Sequence, residues 1–263
     1  MDTVTSADGT KIAFERTGSG PPLVLVHGQA DVHSFWEMKG VRPAFAEHFT
    51  VYSLDRRGHG ASADAPEYHL EREAEDVAAV VDATDGPAVL LGHSGGAIYA
   101  LEAALRTTNL RKLILNQPPI RVGDHEPYPE EVDNELKKLL EVGKNEEALI
   151  FFLQEVAQDT PEEIEAVRSK PFWKDMVKAA YTLPRELEAI AGYTFDAAQF
   201  ETLFLPTLLL TASDTHPLFQ DAIDMLHKSL PVSRVFSFEG HGHEVMITAP
   251  EQFVKEVVAF INE

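Results

Sequence analysis

The stretch Ala88-Val89-Leu90-Leu91-Gly92-His93-Ser94-Gly95-Gly96-Ala97 decides how the rest of the chain reads. Its four leading apolar residues show no polar alternation, the mark of a strand buried on both faces as in a parallel sheet. Residues 97–105 carry a helical pattern. Between strand and helix lies G-x-S-x-G, spelled by Gly92, Ser94 and Gly96. A tight strand-to-helix turn leaves little room beside the serine, which is why glycines flank it. The turn strains the serine backbone and projects its hydroxyl from the sheet. The helix N-terminus behind it favours negative charge there. From this chain's own glycine and serine frequencies, chance supplies on the order of 0.04 such motifs. Ser94 is the candidate nucleophile, and His93 beside it is a candidate pocket residue.

Outward from this turn, short apolar runs recur at residues 23–26, 50–54, 113–115, 207–210 and 234–238. Helical patterns separate them. Residues 70–83 place Ala74, Val77, Ala78 and Val81 on one face, and residues 253–261 behave similarly. The alternation predicts an α/β fold: a mostly parallel central sheet flanked by helices. Residues 2–6 and 11–17 precede it as a hairpin about the turn Ala7-Asp8-Gly9-Thr10. Between about residues 120 and 205 no strand pattern stands. Helix-like segments fill it at 130–142, 146–158, 162–169 and 172–180, and Thr160-Pro161-Glu162-Glu163 reads as a helix start. Residues 121–200 are therefore expected to form a helical cap, inserted into a core of residues 1–120 and 201–263. It should cover the C-terminal strand ends, where α/β sheets place their sites.

Composition narrows the function. The 263 residues are 44% hydrophobic and 25% charged, ordinary globular usage. No cysteine is present, which excludes a disulfide scaffold and a thiol nucleophile. The formal charge of −21 repels phosphate backbones and anionic bilayers, so neither nucleic acid nor a membrane is expected as partner. No apolar run reaches the roughly 18 residues of a membrane span. The first residues lack a signal-peptide pattern, and a cytoplasmic location is the expectation.

Three further segments carry candidate chemistry. His27-Gly28-Gln29 ends one apolar run, and a glycine there lets a backbone N–H turn inward to meet an oxyanion. Asp214 stands just past the run at 207–210, and Gly240-His241-Gly242-His243 follows the run at 234–238. Asp124 and Asp196 are rival acids within the expected cap. Two histidines at i and i+2 could begin a metal site, but no matching ligand cluster is evident, so no metal is expected. Asp55-Arg56-Arg57-Gly58-His59-Gly60-Ala61-Ser62 reads as a turn packed beneath the site, with His59 structural.

The chain order of nucleophile, acid and histidine in these contexts resembles the α/β-hydrolase fold family from about residue 21 to the end, except in the cap. The resemblance implies a triad of Ser94, Asp214 and His243, an oxyanion hole from the backbone N–H groups of Gln29 and Gly95, and no cofactor. It places the base at His243 and not at His241. It implies hydrolysis of an ester, lactone or similar acyl bond of a small molecule through an acyl-enzyme. The family usually has glycine where Ala212 stands. Some members take the acid from the preceding strand end, here Asn116-Gln117, where no carboxylate occurs. A serine nucleophile speaks against the family's haloalkane dehalogenases and epoxide hydrolases, which use aspartate. Carbon–carbon bond hydrolases, cofactor-free peroxidases, hydroxynitrile lyases, amidases and small-molecule receptors of the same fold stay open. Oligomeric state is undecided. The cap carries several aromatic residues, and Phe172 and Trp173 are expected to line the pocket, because Pro171 starts a new helix there. That apolar lining points to a hydrophobic, uncharged substrate.

Overall fold

The computed structural model describes residues 1–123, 128 and 130–263. Eight strands form one sheet: β1 (Asp2–Thr5), β2 (Lys11–Thr17), β3 (Pro22–Val26), β4 (Thr50–Leu54), β5 (Ala88–His93), β6 (Leu110–Asn116), β7 (Thr207–Ala212) and β8 (Ser233–Phe238). Their order is β1-β2-β4-β3-β5-β6-β7-β8. The hairpin β1–β2 joins β4 antiparallel, and every pairing from β4 to β8 is parallel. The α/β architecture read from the sequence is thus the one observed.

The helices are α1 (Val41–Ala46), α2 (Leu70–Asp82), α3 (Gly95–Ala103), α4 (Glu130–Glu141), α5 (Asn145–Glu155) and α6 (Pro161–Arg168). Then come α7 (Trp173–Ala179), α8 (Leu183–Ala191), α9 (Ala197–Phe200), α10 (Pro217–Ser229), α11 (Val245–Thr248) and α12 (Pro250–Asn262). Strand periodicity splits the core in two, since neighbouring side chains point to opposite faces. Leu23 and Leu25 of β3 pack with Phe45 of α1 and Phe253 and Val257 of α12. Val24 and Val26 pack with Val77 of α2, Ile98 of α3 and Ile223 of α10. Each fully buried leucine or valine contributes roughly 1.5–3 kcal/mol relative to exposure.

Helices α4 to α9 all fall between β6 and β7. Two features anchor this insertion to the core. Arg185 of α8 makes paired hydrogen bonds to Asp64, at 3.0 and 2.8 Å. Glu186 of α8 accepts a hydrogen bond from His59 Nε2 at 2.7 Å, and Arg56 Nη2 lies 2.8 Å from its other oxygen. The start of α6 follows its sequence signature: Thr160 and Glu163 cap each other's backbone N–H, and Pro161 follows the cap.

Some elements escaped the sequence reading. Strand β6 begins at Leu110, three residues early, because Arg111 and Lys112 are half-exposed and break the apolar run. Helix α10 buries Leu218, Ala222, Ile223 and Leu226, a stripe at helical spacing hidden behind the polar run from Ser213 to His216. Helix α8, which buries Leu183, Leu187 and Ile190, also escaped it. No helix among the described residues is long and apolar enough to cross a membrane.

Candidate active site

Ser94 sits at the junction of β5 and α3 with φ 54° and ψ −127°, a left-handed backbone that a serine rarely adopts. Close packing holds it there. A Cβ on Gly92 would collide with the Gly96 carbonyl, and one on Gly96 would collide with the His27 carbonyl that ends β3. The Ser94 N–H donates to Asn116 O at 2.9 Å. The elbow is thus wedged between β3, β6 and its own helix, and Ser94 lines a cavity of about 360 Å³.

That cavity is roofed by the insertion. Phe152, Val167, Met176 and Leu187 line it from α5 to α8, and Phe35, His93, Phe219 and His243 line it from the core. The ring of His243 stacks on Phe219 at 4.3 Å and lies 4.8 Å from the ring of His93. Burial first, and then the neighbouring His93, push His243 down to about 3, with Glu244 acting the other way. His241 instead faces Thr248 at 3.1 Å and does not line the cavity.

The expected triad members are near one another but not joined. The Asp214 N–H donates to His241 O at 2.9 Å, so the backbone brings the acid loop against the histidine loop. The Asp214 carboxylate, however, is exposed and accepts from the Ser213 hydroxyl at 2.8 Å. His243 Nδ1 faces Gln117 Oε1 at 3.4 Å, and the Gln117 amide donates to the carbonyls of Gly242 and His243. Gln117, at the end of β6 with φ 48°, thereby fastens the histidine loop, a role that its lack of a carboxylate hid in the sequence. Of the rival acids, Asp196 is the N-cap of α9, and Asp124 lies outside the described residues.

The two residues expected to supply the oxyanion hole meet through a side chain. Gln29 Oε1 accepts the Gly95 N–H at 3.3 Å and the Ser94 hydroxyl at 3.4 Å. Beneath this loop the fully buried Arg56 donates to Gly28 O at 2.9 Å and to both oxygens of Glu73. His59 bridges Asp31 O and Glu186. The turn from Asp55 to Ser62 is therefore a charged scaffold against the loop that carries Gln29.

The pocket expectation needs correction in two respects. Phe172 and Trp173 do not line the cavity. Trp173 donates its indole N–H to Glu146 at 3.1 Å, and Phe172 packs edge-on against Phe35. Nor is the lining wholly apolar. Asp31, Asp159 and Glu244 face the cavity, with no lysine or arginine among its lining residues. Burial, then Glu244 and Asp159, raise Asp31 well above the carboxylate range. Burial, then Glu244 and Glu163, push Asp159 up to about 8. Glu244 is held low despite burial, because His93 Nε2 lies 3.2 Å from its Oε1. These acids lie on segments without periodic pattern, so no sequence signal gathered them. His93, His243 and Glu244 bring three ligand atoms within 4.8 Å of one another, a set that could hold a metal ion. The sequence reading, which looked only to the pair His241 and His243, had not assembled it.

A strained serine elbow under a helical roof, beside a half-buried histidine, defines a hydrolase-type enzyme architecture. The chain belongs to the alpha/beta hydrolase family, whose model matches residues 23–256. An alpha/beta hydrolase from Sphaerobacter thermophilus DSM 20745 superposes with a TM-score of 0.83 at 35% identity, covering 99% of this chain and 100% of that one. The chain is 25% identical to a pimeloyl-[acyl-carrier protein] methyl ester esterase of Nitrosomonas europaea, over 92% of this chain and 96% of the relative. It is 29% identical to a non-heme chloroperoxidase of Streptomyces lividans over the full length of both.

Proposed function

We propose that the protein is a serine hydrolase that cleaves an ester, lactone or similar acyl bond of a small to medium, uncharged substrate. The observation that carries this reading is Ser94, strained at the elbow and lining one cavity with His243. In the proposed reaction, Ser94 Oγ attacks the acyl carbon and its proton passes to His243. The backbone N–H groups of Gln29 and Gly95 meet the oxyanion. Removing one such donor typically costs ~3 kcal/mol. The leaving alcohol takes the proton from His243. Water then attacks the acyl-enzyme with His243 as base, and Ser94 is regenerated. Asp214, whose loop is tied by its backbone N–H to the histidine loop, is assigned to orient His243, its carboxylate replacing Gln117 at Nδ1. No cofactor takes part, and the partner is a small molecule.

The esterase among the relatives supports the ester class. The lining refines it: among the described residues an anionic substrate would find no lysine or arginine to receive it, and Glu244, held ionised beside His93, would oppose its entry. The test is turnover of two nitrophenyl esters of matched size, one neutral and one ending in a carboxylate, by the wild type and Ser94→Ala. The neutral ester should be hydrolysed at least about tenfold faster in kcat/KM, and Ser94→Ala should lose both activities by about a thousandfold or more. Turnover that persists in Ser94→Ala would defeat the proposal.

A further inference from the structure

The side chain of Gln29 sits where, on the reading above, a substrate's carbonyl oxygen would be held. Its Oε1 accepts from the Gly95 N–H and from the Ser94 hydroxyl. A Cβ on Gly95 would collide with its Nε2, so only glycine admits this close approach. The amide can be read one way round only. Reversed, its NH₂ would face the Gly95 N–H, donor against donor. Gln29 is 9% exposed, and its Nε2 is buried without a hydrogen-bond partner among the described residues.

Two consequences follow from this placement. The Gly95 N–H is already used, and the Ser94 proton is directed to Gln29 and away from His243. No hydrogen bond joins Ser94 to His243 among the described residues. We propose that the Gln29 side chain is an internal occupant of the oxyanion site, and that it must turn out before an acyl substrate can be attacked. This proposal rests on Ser94 as the nucleophile and the Gly95 N–H as an oxyanion donor.

The geometry makes the turn easy. Both hydrogen bonds to Oε1 are long, at 3.3 and 3.4 Å, and therefore weak. The unpartnered Nε2 makes the seated position a poor home for an amide, since a buried donor without a partner is unfavourable. Turning out frees three groups at once: the Gly95 N–H for the oxyanion, the Ser94 hydroxyl for His243, and Nε2 for a partner. The Gln29 backbone N–H stays in place throughout. Apparent affinity for an acyl substrate is then reduced by the fraction of molecules in which the site is open.

The experiment compares wild type with Gln29→Ala, Gln29→Met and Gln29→Glu. It measures the rate of covalent labelling by a fluorophosphonate, with the labelled peptide identified by mass spectrometry, and kcat/KM on a neutral nitrophenyl ester. Alanine and methionine empty the site of its acceptor. Both variants should label Ser94 faster and show a higher kcat/KM, by about three- to tenfold, the worth of one ordinary hydrogen bond. Most of that change should fall in KM. A charged carboxylate is the stronger acceptor, so Gln29→Glu should slow both rates. If alanine and methionine instead slow labelling, or leave it at the wild-type rate, the side chain is not an occupant and the proposal falls. If Ser94 takes no label in any form, wild type included, the nucleophile reading fails and the proposal with it. Circular dichroism of each variant separates a slow site from an unfolded chain.

Discussion

Glu186→Gln should destabilise the fold by a definite amount, because Glu186 joins the insertion to the core through a buried charge. Its carboxylate is fully buried between His59, at 2.7 Å, and Arg56, at 2.8 Å. The Arg56 contact is an ion pair whose angle falls short of a hydrogen bond. Breaking a buried ion pair by removing one partner typically costs about 3–5 kcal/mol. Two features lower that figure here. Arg56 keeps Glu73, with hydrogen bonds of 3.2 and 2.7 Å, and glutamine still offers His59 an acceptor. The expected loss is therefore about 2–3 kcal/mol, a fall in Tm of roughly 5–10 °C for a chain of this size. The assay is thermal and urea unfolding followed by circular dichroism at pH 7. The pH dependence supplies a second check. Burial raises the Glu186 pKa, but Arg56 and His59 outweigh it and hold the carboxyl well below its ordinary value. A depressed carboxylate stabilises the fold above its unfolded pKa and loses that contribution as pH falls. The gap between wild type and Glu186→Gln should thus be full at pH 7 and shrink below about pH 4.3. A glutamine variant within about 0.5 kcal/mol of wild type at pH 7 would refute the reasoning, since surface-like substitutions fall in that range.

Three other outcomes follow from the site. If His243 is the base, its lowered pKa keeps it neutral to lower pH than an ordinary histidine, so the acid limb of kcat/KM should lie below pH 6. A limb at the ordinary value of about 6.5 would mean that the acid partner already holds the ring in solution. Asp214→Asn should reduce kcat by about a hundredfold or more, and Gln117→Leu by less than about tenfold. The reverse ranking would give the orientation of His243 to Gln117. Trp173→Ala should destabilise by about 3–5 kcal/mol as a buried aromatic, without changing the ratio of kcat/KM between short and long acyl esters. A shift in that ratio would return Trp173 to the pocket.

Much of this architecture was legible in the chain. The parallel strands announced themselves because both faces are buried, which leaves runs such as Leu23 to Val26 with no polar break. The elbow was legible because close packing admits only glycine at positions 92 and 96. What stayed hidden was whatever depends on contacts between distant segments. Asp31, Asp159 and Glu244 come from three separate loops, and nothing local marks them as neighbours in one cavity. Trp173 was misread because an aromatic residue at a helix start looks the same whether it faces a cleft or a neighbouring helix. Gln29 was read for its backbone N–H, whereas its side chain reaches across to Gly95, 66 residues away in the chain.

The most direct test of the account is where a covalent inhibitor goes. The protein is incubated with a fluorophosphonate, digested, and searched by mass spectrometry for the modified residue, with residual esterase activity followed in parallel. The account predicts one modified residue, Ser94, with activity lost in proportion to labelling, and no label in Ser94→Ala. Esterase activity that survives full modification of Ser94, or a label carried by another serine, would contradict it.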